Sequence, residues 1–187
     1  MSTVYAPFGF QPVYHASGFV RPAAFTLADN AAVTLLLNQP VKITTDGVIN
    51  PAAAGDSFVG TFQGVEFTDG DGRRRVSNKF LANTPATDVT AYITIDPTIV
   101  YQIQANGSVN VTNIGNQFDF GGASAGSTTV GISQAYLDTG TVVTSGGTAQ
   151  MRVIGITPGP DNNWGDAYTI VQVQISEHQN VAVKNAY

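Results

Sequence analysis

The chain has 187 residues, no cysteine and a formal net charge of −5, so its length suits one domain with or without an arm, and disulfides and thiolate metal sites are excluded. Charged residues make up only 11% of the chain, well below the usual share of about 25%, which predicts a neutral polar surface suited to burial against other protein subunits. The acidic balance opposes nucleic-acid binding, and the chain lacks the run of about 18 apolar residues that would predict a membrane span.

The first twenty residues predict an extended N-terminal arm, followed by a single β domain over residues 21–187. Proline favours extended backbone and aromatic rings offer large areas for burial, and the arm interleaves Pro7 and Pro12 with Tyr5, Phe8, Phe10 and Tyr14. We expect these four aromatic side chains to contact other subunits and to serve attachment more than folding. The alternative, in which the arm folds back onto its own domain, stays open.

Short β-rich runs separated by turn signals follow the arm. They cover residues 18–25, 41–44, 58–67, 74–80, 89–95, 100–104, 128–136, 149–156 and 168–175. In the last run, three buried-type residues at 171, 173 and 175 alternate with polar ones, as in a half-buried strand. The pattern predicts an all-β fold, a sandwich or barrel of short antiparallel strands that is jelly-roll-like. Residues 29–37 have helix-like features, with Asp29 or Asn30 as a possible N-cap.

A cluster of three arginines follows a turn signal at residues 69–72. The carboxylates of Asp69 and Asp71 resemble the start of a calcium loop, but the fifth and twelfth positions of such a loop hold Arg73 and Phe80. The segment therefore predicts a tight hairpin turn. Arg73, Arg74 and Arg75 hold three of the eight basic residues, and we expect this loop to dock against an acidic neighbour.

A serine-hydrolase pattern is present but lacks its structural context. Ser124 lies in a G-x-S-x-G sequence, with Asp161 and His178 downstream in the order of α/β-hydrolases. A nucleophile elbow needs a helix after the serine, whereas the residues after Ser127 are β-branched and predict a strand. His15 and His178 are the two histidines of the chain and show no metal-ligand spacing. The sequence thus predicts no catalytic residue, no metal site and no cofactor.

Several blocks of the chain, in order, resemble a family of small structural proteins of tailed bacteriophages, the capsid decoration or cement proteins. The blocks are APFGFQPV at 6–13, DGVINPA at 46–52, GRRRVSN at 72–78, VIGI at 153–156, PDNNWGDAY at 160–168 and QVQISEHQ at 172–179. The resemblance spans nearly the whole chain as a global pattern.

The resemblance implies a structural virion protein that stabilises an icosahedral head by bridging subunits of the major capsid protein on its outer surface. It implies a homo-oligomer, with a trimer favoured over a dimer, and a partner set without nucleic acid or membrane. The N-terminus has no signal-peptide pattern, so we expect synthesis in the host cytoplasm. The alternative is a carbohydrate-binding β-sandwich of a tail or adhesion appendage, in which Trp164 and Tyr168 would form an aromatic platform.

Overall fold

The computed structural model describes residues 2–182 and residue 186. Across this part of the chain there are seventeen short strands and two 3-10 turns. The strands are β1 (Gln11–Tyr14), β2 (Ala23–Thr26), β3 (Leu35–Leu36), β4 (Pro40–Ile43), β5 (Ile49–Pro51), β6 (Gly60–Asp69), β7 (Arg74–Ser77), β8 (Lys79–Phe80), β9 (Ala86–Ile93), β10 (Val100–Gln104), β11 (Gln117–Phe118), β12 (Phe120–Gly121), β13 (Gly126–Ser127), β14 (Ile132–Ser133), β15 (Tyr136–Leu137), β16 (Met151–Ile156) and β17 (Ile170–Ile175). The 3-10 turns are Val111–Asn113 and Thr139–Thr141.

Two antiparallel sheets organise these strands. The first sheet has the order β1-β10-β17-β16-β11, and the second has the order β2-β9-β6-β4-β5 with β7 paired to β6. Three two-stranded sheets, β12-β15, β13-β14 and β3-β8, complete the described part. This architecture confirms the predicted all-β class and is consistent with a β-sandwich. No helix among the described residues is long and apolar enough to cross a membrane.

The apolar core is divided into two clusters, one for each large sheet. The cluster of the first sheet contains five fully or almost fully buried aromatic rings, those of Phe10, Phe58, Tyr101, Phe118 and Phe120. The Phe10 ring meets those of Phe58, Tyr101 and Phe120 edge to face at centroid distances of 5.4–6.2 Å, a favourable geometry for aromatic pairs. The second cluster is mainly aliphatic and includes Phe62 and Phe80.

Buried polar side chains join the two sheets between these clusters. The Tyr101 hydroxyl of β10 lies 2.9 Å from Thr94 Oγ1, which lies 3.0 Å from Thr61 Oγ1 of β6. Burial raises the pKa of Tyr101, so the phenol stays protonated and can donate. Gln150 makes a second link, donating from Nε2 to the carbonyls of Ala53 and Asp56 at 2.9 and 2.7 Å. Both links satisfy polar groups that would be costly to bury alone.

The N-terminal segment is folded back onto the first sheet, which is the alternative that the sequence left open. Strand β1 pairs with β10, and the Gln104 side chain accepts from Ala6 N at 2.7 Å. Phe10 N donates to Asn38 O at 2.9 Å, and the Phe10 ring is 0% exposed. The predicted role of Phe10 as an exposed contact is therefore wrong, because its ring fills the core. The N-terminal segment is thus part of the folded domain, and its role in attachment stays a prediction.

The helix-like stretch at residues 29–37 is not helical. Asn30 has a positive φ of 49°, and its Oδ1 accepts from Ala86 N at 3.1 Å. Leu35 and Leu36 form β3, pair with β8 and are buried. Burial of these side chains against Phe80 outweighs the local helix preference, which is a weak determinant of structure.

Candidate interaction surfaces

The arginine cluster lies on the hairpin formed by β6 and β7. Asp69 Oδ1 accepts from the backbone N–H groups of Asp71 and Arg73 at 3.0 and 2.9 Å, which closes the turn. The predicted tight turn is confirmed, and the carboxylate of Asp69 points into its own loop. Among the described residues, no group of three or more His, Asp or Glu side chains could hold a metal ion.

Two of the three arginines form ion pairs within this hairpin. Arg74 Nη2 lies 2.7 Å from Glu66 Oε1, and Arg75 Nε lies 2.6 Å from Asp69 Oδ2. Hydrogen bonds from Arg74 and Arg75, respectively, lower the pKa of Glu66 and of Asp69. Arg73 is exposed. Only Arg73 of the three therefore keeps its guanidinium free of an ion pair within the described residues.

Among the described residues, five of the twelve exposed large apolar side chains lie on the N-terminal segment along the edge of the first sheet. They are Val4, Tyr5, Val13, Tyr14 and Phe19, between 41% and 70% exposed. Residues 2–20 contain no Asp, Glu, Lys or Arg. Of the four aromatic residues expected to make contacts, Tyr5 and Tyr14 are exposed and Phe8 is half-buried. The edge of the sheet is thus an uncharged surface with large apolar side chains.

Tyr5 belongs to a cluster of three tyrosines at one end of this edge. Its ring centroid lies 5.9 Å from that of Tyr136 and 5.3 Å from that of Tyr168. A Cβ on Gly121 would lie 2.5 Å from the Tyr136 ring, so a glycine is needed beneath it. Trp164 is partly buried and packs against the core of the first sheet. The predicted aromatic platform of Trp164 and Tyr168 therefore exposes only part of the indole ring, because Trp164 anchors its loop on the core.

A groove of about 410 Å³ opens between the loop after β1 and the loop after β9. It is lined by His15, Ser17, Phe19, Arg21, Asp96 and Ile99. Sequence reasoning missed it, since the two loops are about eighty residues apart in the chain and are brought together by the pairing of β1 with β10 and of β2 with β9. The sole sequence signal was the presence of His15 itself.

His15 connects the two walls of this groove. Its Nδ1 lies 2.6 Å from Ser17 Oγ and accepts from Ser17 N at 3.2 Å, while its Nε2 lies 3.1 Å from Asp96 Oδ2. Because Nδ1 accepts a hydrogen bond, it carries no hydrogen in the neutral ring. The hydrogen of the neutral imidazole is therefore assigned to Nε2, which faces Asp96. Two hydrogen bonds from Thr98 lower the pKa of Asp96, and the one from His15 lowers it further. We interpret the cluster as a clamp between the loops.

The G-x-S-x-G sequence around Ser124 does not form the strand–turn–helix of a nucleophile elbow. Ser124 is exposed in the connection from β12 to β13, so a strand follows it where a nucleophile elbow has a helix. His178 is 1% exposed, forms a bridge with Phe58 and accepts from Asn180 N on Nδ1. Its imidazole is a core group rather than a base facing a substrate. Comparisons with protein-family models, with curated proteins and with solved structures found no match to this chain.

Proposed function

We propose that this chain is a structural protein of a tailed-bacteriophage virion that decorates the outer capsid surface and bridges subunits of the major capsid protein. The observation that carries the proposal is the low charge of the first sheet, together with the apolar side chains along its edge. Its five strands contain one charged residue, Arg152. Such a surface can be covered by other subunits with little cost in desolvated charge, and the resemblance of the sequence blocks supports the same assignment.

The physical role would be to shift the capsid toward its expanded state. A protein that binds the expanded shell and not the compact precursor stabilises the expanded form by linkage. The rigid β architecture and the edge of apolar side chains suit a device that spans a seam between subunits. We expect no catalytic activity, no cofactor and no nucleic-acid partner for such a role.

Purified virions test the proposal directly. We expect mass spectrometry to find this chain in stoichiometric amounts, and electron microscopy to place it on the outside of the head. Its absence from the particles, or a position in the tail, would contradict the capsid assignment. The carbohydrate-binding alternative keeps one supporting feature, the half-exposed Tyr5 beside Tyr136 and Tyr168, and glycan binding by the isolated protein would favour it.

We expect the purified protein to be a homo-oligomer, with a trimer favoured over a dimer. The chain as a whole carries a net charge of −5, so most of its surface would repel a second copy. The edge with the exposed apolar side chains carries no charge, so two copies can associate there without that repulsion. Light scattering at micromolar concentration measures the mass of the species in solution. A monomer under these conditions would contradict a stable free oligomer.

Neutralising the arginine hairpin should weaken capsid binding at low salt. We expect Arg73 to contribute most of this effect, because Arg74 and Arg75 form ion pairs with Glu66 and Asp69, whereas Arg73 forms none within the described residues. Arg73→Gln alone should therefore cause most of the loss seen in the triple variant, and the difference should shrink as salt rises. Co-sedimentation with undecorated capsids measures both effects. Equal binding of all variants at low salt would show that the arginines are only solvated.

A further inference from the structure

We propose that the groove between the loops after β1 and β9 binds an acidic, extended segment of a partner protein. In this assignment Arg21 pairs with a carboxylate of the segment, while Phe19 contacts an apolar side chain next to it. The inference goes beyond the proposed function in naming a binding site and the chemistry of its ligand. Identifying that segment with the major capsid protein rests on the proposed function.

Most of the cations among the described residues already have a partner within the chain. Lys42 lies 2.6 Å from Asp56, and Arg74 and Arg75 form the hairpin ion pairs. Lys79 Nζ donates to the carbonyls of Thr128 and Thr129. Arg21, in contrast, lines the groove, is exposed, and makes no ion pair or hydrogen bond from its side chain within the described residues. A guanidinium offers paired donors that match a carboxylate.

The carboxylate of the groove does not compete for Arg21. Asp96 accepts from Thr98 N at 2.8 Å, from Thr98 Oγ1 at 2.5 Å and from the His15 ring at 3.1 Å. Three donors hold it on the wall formed by its own loop. The clamp therefore leaves Arg21 as the available charged group of the groove. The hydrogen bond from His15 to Asp96 also links the two walls before any ligand arrives, which reduces the ordering cost of binding.

An apolar contact accompanies the charge. Phe19 is 69% exposed, the most exposed aromatic side chain among the described residues, and Ile99 is almost fully buried at the same groove. Aromatic residues and arginine are enriched among the residues that contribute most of the binding energy at protein interfaces. A groove of about 410 Å³ accommodates only a few side chains, so the ligand is a short extended segment with an acidic residue adjacent to an apolar one.

The test uses the intact protein, isotope-labelled for NMR, and two synthetic peptides, acetyl-Ala-Phe-Glu-Ala-amide and its Gln-for-Glu analogue. We expect the Glu peptide to shift amide signals of residues 15–21 and 96–99, and the Gln analogue to bind at least about tenfold more weakly. Arg21→Gln should reduce binding of the Glu peptide by the same factor and remove its salt dependence. Phe19→Ser should weaken both peptides alike, because it removes the apolar contact.

Lys42→Gln is the matched control, since it also removes one positive charge from the surface and Lys42, which is paired with Asp56, lies outside the groove. It should leave the affinity for the Glu peptide unchanged. Equal affinity for the Glu and Gln peptides, shifts that map elsewhere, or no binding would overturn the proposal. None of these measurements uses capsids. A protein that is absent from virions but binds the Glu peptide in the groove would disprove the proposed function and leave this inference standing.

Discussion

Phe10→Ala is expected to lower the free energy of unfolding by about 3–5 kcal/mol, the usual cost of removing a buried aromatic ring from a core. The ring is 0% exposed and contacts Phe58, Tyr101 and Phe120 edge to face. Its loss leaves a cavity that three large rings cannot easily close. Chemical denaturation followed by circular dichroism measures the change in the midpoint at constant slope.

Phe19→Ala is the matched control, because it makes the same chemical change on a ring that is 69% exposed. We expect it to change the free energy of unfolding by no more than about 0.5 kcal/mol. Deletion of residues 1–18 should be more damaging than Phe10→Ala, since it also removes β1 from the edge of the first sheet. A truncated protein that unfolds cooperatively at the wild-type midpoint would contradict the placement of this segment in the domain.

Gly60→Ala is expected to cost about 3 kcal/mol or more, because overpacking against backbone cannot be relieved by rotating a side chain. A Cβ built on Gly60 would collide with the carbonyl oxygen of Thr94. This close approach lies where the Thr61, Thr94 and Tyr101 hydroxyls join the two sheets. Separation of the strands would therefore also break a buried hydrogen-bond network. Thermal unfolding of the purified variant measures the loss.

Gly70→Ala provides the control for this substitution. The Cβ on Gly70, in the exposed hairpin turn, would meet only Pro85 Cβ at 3.4 Å, an ordinary contact. We expect a change within about 0.5 kcal/mol. If Gly60→Ala were tolerated as well as Gly70→Ala, the tight packing of β6 against the chain after β9 would be wrong.

The strands were predictable where side-chain alternation and turn residues agreed. The run at residues 100–104 coincides with β10, and the hairpin at residues 69–72 forms where Asp and Gly favour a turn. The segment of residues 128–136 is more irregular than predicted, because its residues are divided between β14 and β15 in separate two-stranded sheets. Local pattern reports which residues suit a pleated surface, and it carries no information on the partner strand.

The exposed contact residues were predicted less well than the strands. Tyr5 and Tyr14 are on the surface as expected, but Phe10, two residues beyond Phe8, is in the core. Phe10 lies between a glycine and a glutamine, and this local sequence is equally compatible with an exposed arm and with a folded segment. Its burial depends on Phe58, Tyr101 and Phe120, which are about 50 to 110 residues away in the chain.

By itself, the sequence determined the all-β class, the positions of most long strands and the low charge of the surface, because these follow from side-chain alternation, turn chemistry and composition. Tertiary structure decided the rest. It placed the N-terminal segment on the edge of the first sheet, engaged Arg74 and Arg75 in ion pairs and formed the groove beside Arg21. Each of these features depends on pairing between strands that are distant in the chain, and such pairing is selected by the burial of whole sheets, which no short stretch of sequence encodes.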